Sequence, residues 1–172
     1  MTTSNNRSRY KSILPKERLP EWLRPSIGNV SQLEKLQNLV KGYQLHTICE
    51  EGRCPNRGEC YAAGTATFLI GGSICTRNCA FCQVEKGQTP QQVDPFEAKR
   101  IANAINQLQL RYVVITSVAR DDLTDHGASL FTKTIAAIRE LNPLIGIEVL
   151  TPDFWGGFSD FQVAVKAQKN RL

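Results

Sequence analysis

The sequence predicts an α/β protein of parallel βα units preceded by an N-terminal metal-binding extension. Three observations carry that expectation. From residue 65 onward, short β-branched apolar runs alternate with stretches whose apolar residues recur at helical spacing, the pattern of strands that return through crossover helices. Before that point the chain is polar, basic and proline-bearing. The six cysteines stand in two triplets, Cys49, Cys54, Cys60 and Cys75, Cys79, Cys82, the kind of short thiol run that holds a metal cluster. Residues 1–63 therefore read as an arm, a short helix and a cysteine loop, and residues 64–172 as about three βα units.

Each element has a local reason. The arm carries prolines at 15, 20 and 25, which favour an extended wrap over a regular element. Ser31 and Glu34 form a capping box, and Leu33, Leu36 and Val40 share one face of the helix that Gly42 ends. The stretch CEEGRCPNRGEC from Cys49 to Cys60 is rich in Gly, Pro and charge, so it is expected to be a loop shaped by its ligand. Thr65 to Ile70 is the first buried strand, followed by the loop bearing the second triplet. Asp94-Pro95-Phe96-Glu97 caps a helix with Ile101, Ile105 and Leu108 inward. A strand at Tyr112 to Thr116, a helix marked by Phe131, Ile135 and Ile138, a strand at Ile147 to Leu150 and a helix from Phe161 to Val165 follow.

Composition narrows the class. At 172 residues, 41% hydrophobic and 22% charged, the chain fits one globular domain burying roughly 70% of its unfolded surface. No apolar run is long enough to span a membrane and the start lacks a secretory signal, which points to a reducing, cytoplasmic setting. The net charge of +5 resides in residues 1–43, with eight Lys or Arg against three Glu. Such an arm can steer an acidic partner or merely keep the protein soluble. Without Arg-aromatic interleaving or a binding module, nucleic acid is not expected.

The cysteines leave three chemistries to weigh. Three disulfides would suit an exported protein, against the reducing setting. Zinc can be drawn from the Cys79–Cys82 pair or from three cysteines with His46, but CxxxCxxC leaves a tetrahedral site one ligand short. A cubane cluster held by three thiolates, with one iron open, needs no fourth residue nearby, and two triplets suggest two clusters. Polar residues also collect after each strand: the CxxxCxxC loop, then Thr116 to Asp122, then Glu148 with Thr151-Pro152-Asp153. Carboxyl ends of parallel strands are where such folds place function. Arg120 with Asp121 or Asp122 reads equally as a loop ion pair. His46 and His126 read as surface or capping residues without a carboxylate partner, and Trp22 and Trp155 as packing anchors.

The CxxxCxxC after the first strand, with Phe81 before its last cysteine, resembles the radical S-adenosylmethionine superfamily. Adding Cys49, Cys54 and Cys60 at CxxxxCxxxxxC spacing, GTATFLIGGSICTRNCAFCQV at 64–84, VVITSVARDDLTDHGA at 113–128 and IEVLTPDFWG at 147–156, the chain resembles the lipoyl synthase family from about Leu19 to Gly157. The resemblance implies a partial, incomplete TIM-type radical SAM barrel. It implies two 4Fe-4S clusters, with Cys75, Cys79 and Cys82 holding the one that binds and cleaves S-adenosylmethionine, and Cys49, Cys54 and Cys60 holding an auxiliary, sulfur-donating one. It further implies nucleotide contacts from Phe81, Thr116, Ser117, Asp122 and Glu148, and sulfur insertion at carbons six and eight of an octanoyl-lysine on an acidic lipoyl carrier domain. An electron donor such as ferredoxin or flavodoxin would be needed. The family's fourth auxiliary ligand is a serine in an Arg-Ser-Xaa-Tyr stretch near the far end of a longer chain, a stretch spelled here only by Arg7-Ser8-Arg9-Tyr10. The chain is thus expected to be a fragment, a split enzyme pairing with a separate C-terminal half, or a degenerate, non-catalytic iron-sulfur copy; a zinc-stabilised interaction module is the remaining alternative.

Overall fold

A computed structural model of the chain describes Pro20 and residues 30–88, 92–157, 159–160 and 162–164. Apart from Pro20, the expected extended arm lies outside these residues, Trp22 and Arg7 to Tyr10 included, as do Phe161 and Val165 of the last expected helix; residues 159–160 and 162–164 beside them are helical.

The architecture is α/β, with parallel βα units and a mixed sheet. Three parallel strands, β2 (Thr65–Ile70), β5 (Tyr112–Ser117) and β6 (Gly146–Leu150), lie side by side in register from Thr65↔Tyr112↔Gly146 upward. Helix α4 (Glu97–Leu108) returns the chain from β2 to β5, and α5 (Ala128–Leu141) from β5 to β6. Both helices bury the stripe that the sequence marks: Ile101 and Ile105 on α4, and Phe131, Ile135 and Ile138 on α5, are each at most 2% exposed. They join Ala66, Phe68, Ile70, Val113, Ile115 and Ile147 in one core on a single face of the sheet. The opposite face carries Thr67, Val114, Thr116 and Glu148, all half-buried. Strand residues alternate between faces, so a sheet covered by helices on one side only turns a polar, partly open face outward.

The first helix, α1, runs Val30–Gly42, and Leu36 and Val40 are buried as expected. One expectation is corrected in the N-terminal part. The Cys49–Cys60 segment is not a loop throughout. It holds β1 (His46–Thr47), α2 (Ile48–Glu51) and α3 (Arg57–Ala62). Thr47 explains much of this: its Oγ1 accepts the Glu50 N–H at 3.2 Å, capping α2, and its hydroxyl meets the buried Tyr61 hydroxyl at 3.2 Å. Cys49 and Tyr61 thereby turn into the common core with Leu36, Val40 and Leu45. Strand β1 pairs antiparallel with β2, His46 opposite Leu69, which makes the sheet mixed, in the order β1-β2-β5-β6.

The segment after β6 corrects another reading. Phe154 and Trp155 both adopt left-handed backbone, at φ 46° and 52°, and this tight turn sends the neighbouring side chains opposite ways. Phe154, 1% exposed, packs edge-on against Phe131 with ring centroids 6.1 Å apart. Trp155 is 73% exposed; the packing role expected of it belongs to Phe154. No helix among the described residues is long and apolar enough to cross a membrane.

Candidate metal centre

The second triplet sits on a loop whose neck is fastened. Strands β3 (Ile74–Cys75) and β4 (Glu85–Lys86) pair in parallel, and the Gly87 N–H donates to the Cys75 carbonyl at 3.0 Å. Val84 at the neck packs with Leu69 and Val118, and Cys75 and Cys82 lie against that small cluster. The far side of the loop is different: Asn78, Cys79, Ala80 and Phe81 are all exposed, Phe81 at 88%. Apolar burial therefore positions Cys75 and Cys82 far more than Cys79.

Polar contacts attach this loop to the loops after β5 and β6. Thr76 meets Ala119 twice, its N–H at 3.2 Å and its hydroxyl at 3.0 Å from the Ala119 carbonyl. The Ala119 N–H in turn points at Cys75 Sγ, 3.4 Å away, the sort of backbone donor that stabilises a ligating thiolate. Arg77 donates from Nε and Nη2 to the two oxygens of Asp121 at 2.8 and 2.7 Å, and from Nη1 to Asp153 Oδ1. Its guanidinium also lies over the Trp155 ring, 5.0 Å from the centroid. The Arg77 hydrogen bonds hold both carboxyls, Asp121 and Asp153, below the usual aspartate range. Such a group stabilises the fold above its ordinary pKa, and that contribution fades as pH falls through the lowered value.

The turn that starts the loop is held on both sides of one residue. Gly71, at φ +84°, gives its N–H to Glu97 Oε2 at 3.0 Å and its carbonyl accepts Arg120 Nη1 at 2.9 Å. A Cβ at Gly71 would come within 3.2 Å of Leu130. Burial pushes the Glu97 carboxyl up, partly opposed by the Gly71 and Gly72 amides.

The first triplet is gathered by the short helices. Cys49 is 7% exposed, Cys54 and Cys60 are half-buried, and the Cys54 N–H donates to the Cys49 carbonyl at 3.2 Å. Burial pushes the Cys60 thiol up first, and Cys49 and Cys54 push it further. All six thiols are free of disulfides. Among the described residues no three His, Cys, Asp or Glu side chains converge on a point fit for one ion. Three thiols on one short segment are the donor set that a cubane takes, one thiolate to each of three irons, and the Ala119 N–H on Cys75 Sγ is a donor of the kind that such a ligand uses.

The other predicted residues are dispersed. Thr116, at the carboxyl end of β5, donates its hydroxyl to the Leu150 carbonyl at 3.0 Å, and Ser117 is half-buried on the opposite face. Asp122 is engaged by Arg120, 2.8 Å from Nε and 2.7 Å from Nη2, with Arg120 itself 3% exposed. Glu148 accepts the Tyr112 hydroxyl at 2.6 Å, turned back toward the amino end of β5. His46 and His126 do have carboxylate partners, Glu51 and Asp160, each at 3.0 Å; the second lies 34 residues away along the chain, a pairing that spacing does not reveal. Arg77, Glu97 and the Thr47–Tyr61 pair were missed by sequence reasoning. Only Arg77, a cation inside a thiol loop, left any signal. A cavity of about 330 Å³ at the other end of the sheet, lined by Lys35, Tyr61, Gly64 and Arg111 among others, contains none of the predicted residues.

Comparison with known proteins agrees with the cysteine pattern. Residues 2–54 match the family described as the N-terminal domain of lipoyl synthase of the radical SAM family. The chain is 71% identical over 172 residues to lipoyl synthase 2 of Prochlorococcus marinus (strain MIT 9313), all of this chain and 56% of that protein. It is 72% identical over 165 residues to lipoyl synthase 2 of Parasynechococcus marenigrum, 96% of this chain and 55% of the relative. Lipoyl synthase of Symbiobacterium thermophilum is 51% identical over 155 residues, 90% and 48% of the two chains. The chain thus spans about half the length of the curated relatives it matches.

Proposed function

We propose, from a chain similar to lipoyl synthases of the radical SAM family along its whole length, that it carries the cluster-binding part of a sulfurtransferase of lipoate biosynthesis. Cys75, Cys79 and Cys82 would hold one 4Fe-4S cluster and Cys49, Cys54 and Cys60 the other. When bound, the clusters supply an electron that splits S-adenosylmethionine into methionine and a 5′-deoxyadenosyl radical, and sulfur for carbons six and eight of a protein-bound octanoyl-lysine. Radical chemistry is what such a substrate requires, because an acid or base cannot remove hydrogen from an unactivated methylene.

The observation that carries this reading is the fastened CxxxCxxC loop beside the carboxyl ends of parallel strands, with the Ala119 N–H on Cys75 Sγ. The chain's own groups then divide the work. The β3–β4 neck and the Ala119 amide orient Cys75, and Val118 and Leu69 keep water from the base of the loop. The half-open polar face with Thr67 and Thr116 would form one wall of a TIM-type barrel completed by further βα units. An acidic carrier domain suits the basic residues 1–43, ferredoxin or flavodoxin would donate electrons, and the setting would be cytoplasmic. Anaerobic iron and sulfide analysis tests the core of the proposal: about eight irons with matching sulfide per chain is expected, together with 5′-deoxyadenosine on adding S-adenosylmethionine and reductant. Zinc without sulfide would overturn it.

A further inference from the structure

We infer that Arg77 is the positioning residue of the cysteine loop: one guanidinium ties that loop to the loops following β5 and β6 and balances the two carboxylates beside the cluster ligands. The inference deepens the cluster reading above and rests on it for its electrostatic half.

The geometry is more than a surface ion pair. Exposed pairs contribute only about 0–1 kcal/mol, but Arg77 is 22% exposed at its side chain, makes a two-point fork to Asp121, reaches Asp153 with its third nitrogen and stacks over Trp155. Its neighbour Thr76 meets the same Asp121, 2.8 Å from Oδ2. Planar, bidentate recognition of this kind belongs to arginine and is lost in lysine. Asn78 to Phe81 are exposed, so among the described residues this clamp is a side-chain restraint close to Cys79 that apolar packing does not replace. Without the cation, Asp121 and Asp153 would stand as two uncompensated negative charges beside thiolates of the same sign. That environment disfavours adding an electron to a cluster held there.

Two variants separate geometry from charge. In anaerobically prepared full-length chain, Arg77→Met is expected to speed amide hydrogen exchange across residues 76–83 by about tenfold and to shift the midpoint potential of the loop's cluster to more negative values. Arg77→Lys keeps the charge but not the fork, so exchange should rise while the potential stays near that of the unaltered protein. If Arg77→Met folds poorly, Asp153→Asn, which removes one exposed arm, should still raise exchange in 76–83 by about threefold. Exchange within twofold of the unaltered protein in Arg77→Met, or in Asp153→Asn where that variant replaces it, would overturn the positioning role; equal negative shifts in the Met and Lys variants would overturn the charge-balancing role. Preparations that bind no iron defeat the cluster reading separately, since the exchange measurement reports on the clamp by itself.

Discussion

The two cysteine triplets are alike in chemistry and opposite in support. Cys49 sits at 7% exposure in a wall built from Leu36, Val40, Leu45 and Tyr61, on helices of four and six residues. Cys79 stands exposed on a loop whose outer half is restrained by a guanidinium and hydrogen bonds. Short helices are unstable alone, so the first group of thiols is fixed by apolar packing and its buried Thr47–Tyr61 contact. The second rests on a small apolar cluster at Cys75 and Cys82 but depends on polar contacts around Cys79, which leave one side accessible. On the proposed assignment, a cluster that accepts a nucleotide would need that access, and one shielded until its sulfur is used would not.

The sharpest way to break this contrast is to remove one thiol from each group. Cys79→Ala should abolish S-adenosylmethionine cleavage and roughly halve the bound iron, because two thiolates do not hold an open cubane. Cys54→Ala should lose a similar share of iron yet keep cleavage. Iron assays beside 5′-deoxyadenosine measurements decide it: equal loss of cleavage in both variants would mean that the triplets do not have separate duties.

A smaller effect probes the supports. Thr47→Val strips the cap of α2 and leaves the buried Tyr61 hydroxyl, 3% exposed, without its partner. An orphaned buried polar group and a lost cap each cost about 1–2 kcal/mol, so the urea midpoint should fall clearly. Asp121→Asn, in the polar clamp, should cost under about 1 kcal/mol globally while loosening the second loop. A global loss in Asp121→Asn as large as in Thr47→Val would erase the distinction between packed and clamped ligands.

The same contrast explains what the chain's letters could reveal. Strands β2, β5 and β6 and helices α4 and α5 were legible because burial imposes a period on their residues: Ile101 and Ile105, or Phe131, Ile135 and Ile138, announce an inward stripe. The two cysteine triplets stood out by type and spacing, and their role as ligands is the proposal made above. The supports around them were not legible, since they depend on partners far along the chain. Thr47 pairs with Phe68, and Arg77 finds Asp121 and Asp153 44 and 76 residues away. Elements of two to six residues, such as β1, α2 and α3, have no room to show a period, and the Gly, Pro and charge between their cysteines concealed two helices. At Phe154-Trp155, backbone at positive φ decided which aromatic faces inward, a choice that residue type alone assigned to the larger ring.

The least perturbing change tests the turn that leads from the core into the exposed loop. Glu97 is half-buried beside Gly71, and burial raises its carboxyl above the ordinary 4.5; nearby Asp94 adds to the rise and His46 opposes it. A carboxyl whose folded pKa is raised favours the fold most below pH 4.5, and the stability it allows declines as pH climbs through the folded value. Glutamine keeps an oxygen able to accept the Gly71 N–H and carries no charge to desolvate. Glu97→Gln should therefore be neutral or stabilising by less than about 1 kcal/mol at pH 7.5, and its unfolding free energy should vary less between pH 4.5 and 7.5 than that of the unaltered chain. An unchanged pH dependence would mean that Glu97 is held by its two amides strongly enough to offset burial, and the turn would then join the clamp as a charge-dependent element instead of belonging to the packed core.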